Sequence, residues 1–357
     1  MNEKDIMRDA FSLAKMGRNR TGTNPMVGAI LIKNKKIIGK GFHEEFGGPH
    51  AEVNAISDAE KKGHNIKGAT LVSTLEPCSH KSKKTPPCTN IIIKKGIKKV
   101  FYGSLDINPK VNGRGVAQLK RNNIETTFIN FQKENNELNR GYSKIIKKNQ
   151  PFVTLKICMT LDGMIFNNDL KSNKIGDTEQ LKHSNGIRAL YDSILIGVNT
   201  VIKDNPSLTY RGKGSKDIIQ PRPIILDSQL RTPLKSNIIK LQNKPIIFTD
   251  LSKESSKENK LRSLGCQIEK VRSLSPRIIL NRLAKNNLQS TLIEGGGKVF
   301  TNFLKSNMFD ELILYYSPSF MGHGGLNISN NLNKKYKLKV KSVSTRKIGN
   351  TIMVIYK

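Results

Sequence analysis

Tryptophan is absent from this chain of 357 residues, cysteine occurs only four times, and 28 acidic residues stand against 61 basic ones. Long apolar runs are also missing. Stretches such as Ile224–Leu226 and Leu312–Tyr316 are strand-sized and flanked by polar residues, which excludes a membrane-spanning helix. The first residues, Met1 to Met7, include Glu3 and Asp5 and no apolar segment. They read neither as a secretory signal nor as a transit peptide, so the expected compartment is the cytoplasm. Four cysteines in such a chain do not make a disulfide framework and point instead to metal or catalysis. Cys158 and Cys266 are isolated among apolar residues and read as small buried side chains, whereas Cys78 and Cys88 share one proline-rich loop. No internal repeat or low-complexity tract is evident.

The shortage of acid leaves a formal net charge of +33, which raises nucleic acid or an anionic membrane as partners. The surplus is made of 46 Lys and 15 Arg, stands beside 35 Asn, and is spread over the whole chain. Base-reading and stacking surfaces interleave Arg with aromatics. Here runs such as Lys94-Lys95 and Lys98-Lys99 lie beside Ile and Gly, so a compositional drift toward Lys, Asn and Ile is the favoured cause. A small phosphorylated substrate would still be drawn in by the field.

At roughly 150 residues per domain the length suggests two domains. Residues 5–16 carry Ile6, Ala10, Leu13 and Ala14 at helical spacing, and Gly17 stops that helix. Met26–Ile32 and Ile37–Gly41 predict a hairpin turning at Lys33-Asn34-Lys35-Lys36. A helix over 50–62, strands at 69–75, 99–103 and 124–129 and a helix over 89–95 complete an α/β unit around one sheet. The polar, charged stretch 134–151 reads as the boundary, giving domains at 1–145 and 151–357. The second part again alternates. Strands are predicted at 152–159, 193–197, 223–226, 245–248 and 290–293, with helices over 178–190 and 276–285, then a Gly turn, a helix and paired C-terminal strands.

The strongest chemical signal is His50-Ala51-Glu52 at a helix start, followed by Pro77-Cys78 and then Cys88. One imidazole and two thiolates suit a tetrahedral zinc whose fourth position is left to water. Zinc brings the pKa of that water down toward about 7, and a nearby carboxylate that does not ligate must move the protons. Glu52 is the candidate for that role, with His50, Cys78 and Cys88 as ligands. His43, His64 and His80 read as solvent-facing residues rather than ligands, with substrate contact left open for His80 because it lies in the cysteine loop. The arrangement is similar to the zinc nucleobase deaminases.

With Asn24-Pro25-Met26-Val27-Gly28 upstream and Thr74-Leu75-Glu76-Pro77-Cys78-Ser79-His80 leading to Thr85-Pro86-Pro87-Cys88, residues 5–130 closely resemble the deaminase domain of the bifunctional riboflavin-biosynthesis deaminase–reductase. The resemblance implies a cytidine-deaminase-like α/β/α domain and makes Asn24 a pocket residue contacting the pyrimidine. In that family the cysteine loop usually has one residue fewer, with a Gly before the basic residue, where this chain reads Lys81-Ser82-Lys83-Lys84.

In the second part, Ile293-Glu294-Gly295-Gly296-Gly297-Lys298 sits between a strand and a helix. Such glycines let backbone N–H groups approach an anion at a helix N-terminus, although a plain tight turn has the same pattern. It is not a G-x-G-x-x-G fingerprint, so a standard Rossmann unit is not supported. Lys156–Gly163, Asp192–Gly197 running on through Asp204–Arg211, Arg222-Pro223 and Leu226-Asp227-Ser228 resemble the reductase half of the same family. The resemblance implies a dihydrofolate-reductase-like α/β fold using NADPH. By position it places Cys158, Thr200, Asp204, Ser228, Gly296, Gly297 and Lys298 at the cofactor. It places Ser172, Arg188, Leu208, Arg211 and Glu294 at a phosphoribosyl substrate, where the Arg188 and Arg211 guanidinium forks match a phosphate. Lys174 stands where the family commonly has a Trp packed on the cofactor; its ammonium could pair with a cofactor phosphate instead.

The expected function is therefore two steps of riboflavin biosynthesis, deamination of a ribosylaminopyrimidine phosphate and NADPH-dependent reduction of its ribosyl group to ribityl. The expected partner is that small molecule rather than nucleic acid or membrane, and a homodimer is compatible with the resemblance. Three alternatives remain open at this point: a zinc deaminase acting on RNA, a deaminase with an impaired reductase domain, and a zinc-stabilised binding protein with no need of Glu52.

Overall fold

The computed structural model describes residues 2–79, 86–167, 175–252, 256–322, 325–328, 332, 337–338 and 340–357. It divides into two units, Met1–Asn149 and Gln150–Lys357. Among the described residues no helix is long and apolar enough to cross a membrane.

The first unit contains α1 (Glu3–Ala14), β1 (Gly28–Lys33), β2 (Lys36–Phe42), α2 (Ala51–Lys61), β3 (Thr70–Ser73), α3 (Cys88–Lys94), β4 (Lys99–Tyr102), α4 (Arg114–Arg121), β5 (Glu125–Phe128), α5 (Gln132–Leu138) and α6 (Arg140–Lys148). The strand order is β2-β1-β3-β4-β5, antiparallel from β2 to β3 and parallel beyond. Successive strand residues face opposite sides of a sheet, and the core follows that alternation. Ile30, Val72 and Phe101 pack against Ile6, Met7 and Phe11 of α1. Their neighbours Ala29, Leu31, Leu71 and Val100 pack against Ala55, Ile56 and Ala59 of α2 and against Ile92 and Leu119 of α3 and α4. The result is an α/β/α sandwich. The predicted hairpin is present, and Asn34 and Lys35 both take positive φ, 50° and 59°, as a two-residue turn matched to the twist of its strands demands.

The stretch read as a polar boundary, 134–151, turned out to be largely helical: α5 and α6 occupy most of it. Its buried contacts are few but specific. The Asn139 side chain accepts from Met26 N at 2.7 Å and donates to Met26 O at 3.0 Å, while Tyr142 Oη donates to Asp106 at 2.7 Å. Composition alone hid these helices because they turn mostly charged faces to water.

The second unit runs β6 (Phe152–Thr160), β7 (Met164–Asn167), α7 (Thr178–Arg188), β8 (Ser193–Gly197), α8 (Val198–Asp204), β9 (Arg222–Leu226), α9 (Asn237–Lys240), β10 (Ile246–Asp250), α10 (Ser256–Ser263), β11 (Gln267–Val271), α11 (Pro276–Lys285), β12 (Ser290–Ile293), α12 (Gly297–Lys305), β13 (Glu311–Ser317), β14 (Gly325–Asn327), β15 (Val343–Ile348) and β16 (Thr351–Tyr356). Nine strands form one sheet in the order β11-β10-β9-β8-β12-β6-β13-β16-β15, parallel up to β13 and closed by an antiparallel hairpin; β7 and β14 pair separately. One face carries Ile194, Ile225, Ile247 and Tyr315, the other Leu155, Ile224, Ile246 and Leu314 under α11 and α12. Because β12 inserts between β8 and β6, the strand order reverses there. A crevice opens at the carboxyl ends of strands at such a reversal, the place where open α/β sheets bind ligands.

Candidate functional site

In the first unit two helix starts converge on the loop that follows β3. His50 is the N-cap of α2, Glu52 lies in its first turn, and Cys88 opens α3. Cys78 is held by that second helix start, since Cys88 N donates to its sulfur at 3.4 Å and Thr89 N to its carbonyl at 3.2 Å. His50 Nδ1 lies 3.1 Å from Cys88 Sγ and 3.4 Å from Cys78 Sγ, and the two sulfurs are 3.5 Å apart. A tetrahedral zinc with Zn–S of about 2.3 Å and Zn–N of about 2.0 Å has edges of roughly 3.5–3.8 Å, so the three donors fit it with slight expansion. Among the described residues this is the group of such side chains that could hold a metal.

Glu52 is buried beside the cluster, 3.4 Å from Cys88 Sγ. Burial pushes its carboxyl above the usual carboxylate range, against the pull of His50. The hydrogen bond from Cys88, with His50 beside it, holds the Cys78 thiol down at about 4. The same bond, together with burial and the Glu52 charge, pushes Cys88 up. A soft cation replacing the shared proton removes that conflict.

His43 departs from the solvent-facing reading. It is 3 % exposed, its ring stands edge-on to His50 at 5.3 Å, and Nδ1 lies 3.0 Å from Pro49 O. A carbonyl can only accept, so Nδ1 carries the proton and Nε2 accepts from Asn24 Nδ2 at 3.1 Å. Asn24 thus reaches the site through an imidazole read from the sequence as solvent-facing. His64 is exposed, and His80 lies outside the described residues.

Glu76 and Gly115 fix the other side. Glu76 Oε1 accepts from Asp106 N at 2.9 Å and Gly113 N at 2.8 Å, tying the loop before Cys78 to the start of α4. A Cβ on Gly115 would lie 1.9 Å from Pro77 O, so only glycine lets α4 pack on that loop.

In the second unit the crevice is a cavity of about 680 Å³ lined by Cys158, Thr200, Asp204, Ser228, Glu294 and the run Gly295–Lys298. A Cβ on Gly296 would meet nothing closer than Thr200 Oγ1 at 3.7 Å, so the turn leaves room for a ligand against its backbone at the start of α12. Ser172 and Lys174 lie outside the described residues.

Glu294 receives Arg188 Nε at 3.1 Å and Nη2 at 2.7 Å, with Lys156 Nζ 3.5 Å away. Burial alone would raise its carboxyl, but Lys156 and Arg188 outweigh it and hold the group below its usual range. The Arg188 fork is therefore engaged by protein, and its Nη1 also donates to Thr209 O at 3.2 Å. This differs from the expectation that it grips phosphate; Arg211, on the loop that carries Thr209, is exposed. Leu208 has φ 54° and its side chain in the core, so only its backbone can face a ligand. Asn185 accepts from Arg211 N and donates to Thr209 O, each at 2.8 Å, which clasps this loop to α7. Lys156 was missed, although a single cation inside an apolar, centrally paired strand is itself a signal.

Two family models match: the cytidine and deoxycytidylate deaminase zinc-binding region over residues 1–104 and the RibD C-terminal domain over 151–354. A riboflavin biosynthesis protein RibD from Aquifex aeolicus is 37 % identical over 99 % of this chain and 98 % of its own length. The chain belongs to the RibD family. Among solved structures, a Thermotoga maritima protein described as a diaminohydroxyphosphoribosylaminopyrimidine deaminase/5-amino-6-(5-phosphoribosylamino)uracil reductase aligns with TM-score 0.84 at 37 % identity, covering 99 % of this chain and 98 % of that one. Acinetobacter baumannii RibD aligns with TM-score 0.82 at 29 % identity over the same shares. RibD membership makes this a bifunctional enzyme of riboflavin biosynthesis, a zinc-dependent deaminase followed in the chain by a dihydrofolate-reductase-like NADPH reductase.

Proposed function

We propose that the first unit hydrolytically deaminates a 2,5-diamino-6-ribosylamino-4(3H)-pyrimidinone 5′-phosphate and that the second reduces the ribosyl group of the product to ribityl. The observation that carries this reading is that one chain aligns end to end with a protein described by both activities, while holding a His-Cys-Cys cluster with a buried carboxylate in one unit and an open glycine turn beside Glu294 in the other.

When bound by His50, Cys78 and Cys88, zinc supplies the Lewis acidity that makes water a nucleophile near neutral pH. Glu52 takes the proton from that water as it adds to the amidine-type ring carbon and returns it to the amino group, which departs as ammonia. Asn24, oriented by His43, offers its amide to the ring. Asn24 itself is fixed by the turn that Asn139 secures through Met26.

Thr200, Asp204, Ser228 and the Gly296–Lys298 turn would hold NADPH, which would supply the hydride for the anomeric carbon, while the ring oxygen freed there would take its proton from water. Lys156 and Arg188 keep Glu294 anionic, and an anionic carboxylate accepts hydrogen bonds from sugar hydroxyls. Arg211 takes the 5′-phosphate from the loop that Asn185 clasps. Orientation of the two reactants supplies much of the rate.

The test is mass-spectrometric product analysis of zinc-loaded protein given the diaminopyrimidine ribosylamino phosphate with and without NADPH. Deaminated ribosyl product without NADPH and deaminated ribityl product with it are the expected results. Ribosyl product in both tubes would mark the reductase as impaired, and unchanged substrate in both would remove the proposal.

A further inference from the structure

Two segments of the deaminase site leave the same end of the first sheet. The antiparallel ladder between β1 and β3 runs out to Ala29 and Ser73, and one further exchange joins Gly28 to Thr74. From there one segment runs back to Asn24 and the other forward to Cys78, and α6, the last helix of the first unit, takes over from the ladder.

One arm of that hold is Asn139, the buried N-cap of α6. Its Oδ1 accepts from Met26 N at 2.7 Å, and its Nδ2 donates to Met26 O at 3.0 Å and to Asn135 Oδ1 at 2.8 Å. An amide that accepts from and donates to the backbone of one residue copies the pairing of a neighbouring strand, so Met26 is fixed both along and around its chain. Asn24 lies only two residues before it, and the ring of the intervening Pro25 locks φ, which leaves little freedom to absorb a shift.

The other arm is Tyr142, three residues further along and hence on the same helix face. Its buried hydroxyl donates to Asp106 Oδ1 at 2.7 Å, and burial together with the Asp106 charge keeps that hydroxyl protonated. Asp106 N in turn donates to Glu76 Oε1 at 2.9 Å, two residues before Cys78. A displacement of α6 would therefore move the Asn24 turn and the zinc loop relative to each other.

We infer that Asn139 and Tyr142 make α6 the brace that sets the Asn24 amide against the zinc ligands, and that Asn139 is a positioning residue for deamination acting through Asn24. The inference rests on the reading of Asn24 as a pyrimidine contact. A stretch whose composition suggests a linker thus belongs to the deaminase machinery.

The experiment is a double-mutant cycle on the full-length, zinc-loaded protein, with deamination kinetics of wild type, Asn24→Ala, Asn139→Ala and the double variant. Asn139→Ala should raise KM about 10-fold with kcat within about threefold, the split expected when substrate binding alone is weakened. The double variant should be no worse than Asn24→Ala, because Asn139 then has nothing left to position. Zinc held at one per chain, read by elemental analysis, reports that the first unit is folded. Tyr142→Phe removes a single oxygen and tests the other arm even where Asn139→Ala fails to fold; it should lower kcat/KM about three- to tenfold with zinc retained. An Asn139→Ala penalty that multiplies in full onto that of Asn24→Ala, or wild-type kinetics in Tyr142→Phe, overturns the brace while leaving Asn24 as a substrate contact. A wild-type KM in Asn24→Ala overturns that reading and the inference with it.

Discussion

Glu52 and Glu294 show how placement divides the work of one functional group. Both are buried glutamates, yet burial leaves Glu52 raised, while Lys156 and Arg188 outweigh burial at Glu294 and lower it. The first can carry a proton; the second stays an anion. Replacing Glu52 with Gln should lower deaminase kcat by about 10²–10⁴-fold while one zinc per chain is retained, read by elemental analysis beside kinetics. Zinc lost together with activity would make Glu52 structural. Cys158 gives a pH-dependent expectation. Burial pushes its thiol up to about 11, so the reactive thiolate is a small fraction at neutral pH and grows about tenfold per pH unit until that value is approached. Alkylation of Cys158, followed by peptide mass spectrometry, should therefore accelerate through pH 8, 9 and 10 and slow when NADPH covers the cavity. A plateau near pH 8.5 would contradict the buried environment.

Elements, rather than single residues, decide how closely the zinc loop is held. α4 lies against Pro77 with no room for a methyl group at Gly115, and Glu76 ties the same loop to the helix start. Gly115→Ala should displace the Cys78 loop, lowering zinc content and deaminase activity together, while the reductase rate changes little; unchanged zinc content would show that α4 yields instead. The β1–β2 turn gives a stability expectation of opposite sign. Lys35 sits at φ 59°, a region that costs a residue with a side chain roughly 1 kcal/mol and glycine far less. Lys35→Gly should raise the melting temperature of the first unit by a few degrees in scanning calorimetry; an unchanged or lower value would show that the Lys35 backbone is not strained.

At the scale of the whole chain, two units carry two chemistries that depend on different partners. Stripping zinc with a chelator should abolish deamination and lower the unfolding temperature of the first unit, because metal bound only by the folded state stabilises it by mass action. Reduction of an independently supplied deaminated substrate should continue; its loss would show that zinc also supports the second unit. The charge of +33 is a property of the same scale. It gives attraction for phosphorylated molecules that salt screens, so the KM for substrate should rise with ionic strength while kcat holds.

The sequence by itself determined the alternation of strands and helices, because the short apolar runs of Gly28–Lys33 and Ser193–Gly197, bounded by polar and turn residues, and the helical spacing of Pro276–Lys285 are legible without help from distant residues. It also determined the donor set, since His50, Glu52, Cys78 and Cys88 are recognisable from residue type and order. What only the tertiary structure decided are relations across the chain. Burial of His43 and its tautomer depend on Pro49 and Asn24; the engagement of Arg188 depends on Glu294, more than a hundred residues away. The insertion of β12 between β8 and β6, which opens the cavity, leaves no local trace, because strand order is set by long-range packing of apolar faces rather than by any segment's own preference.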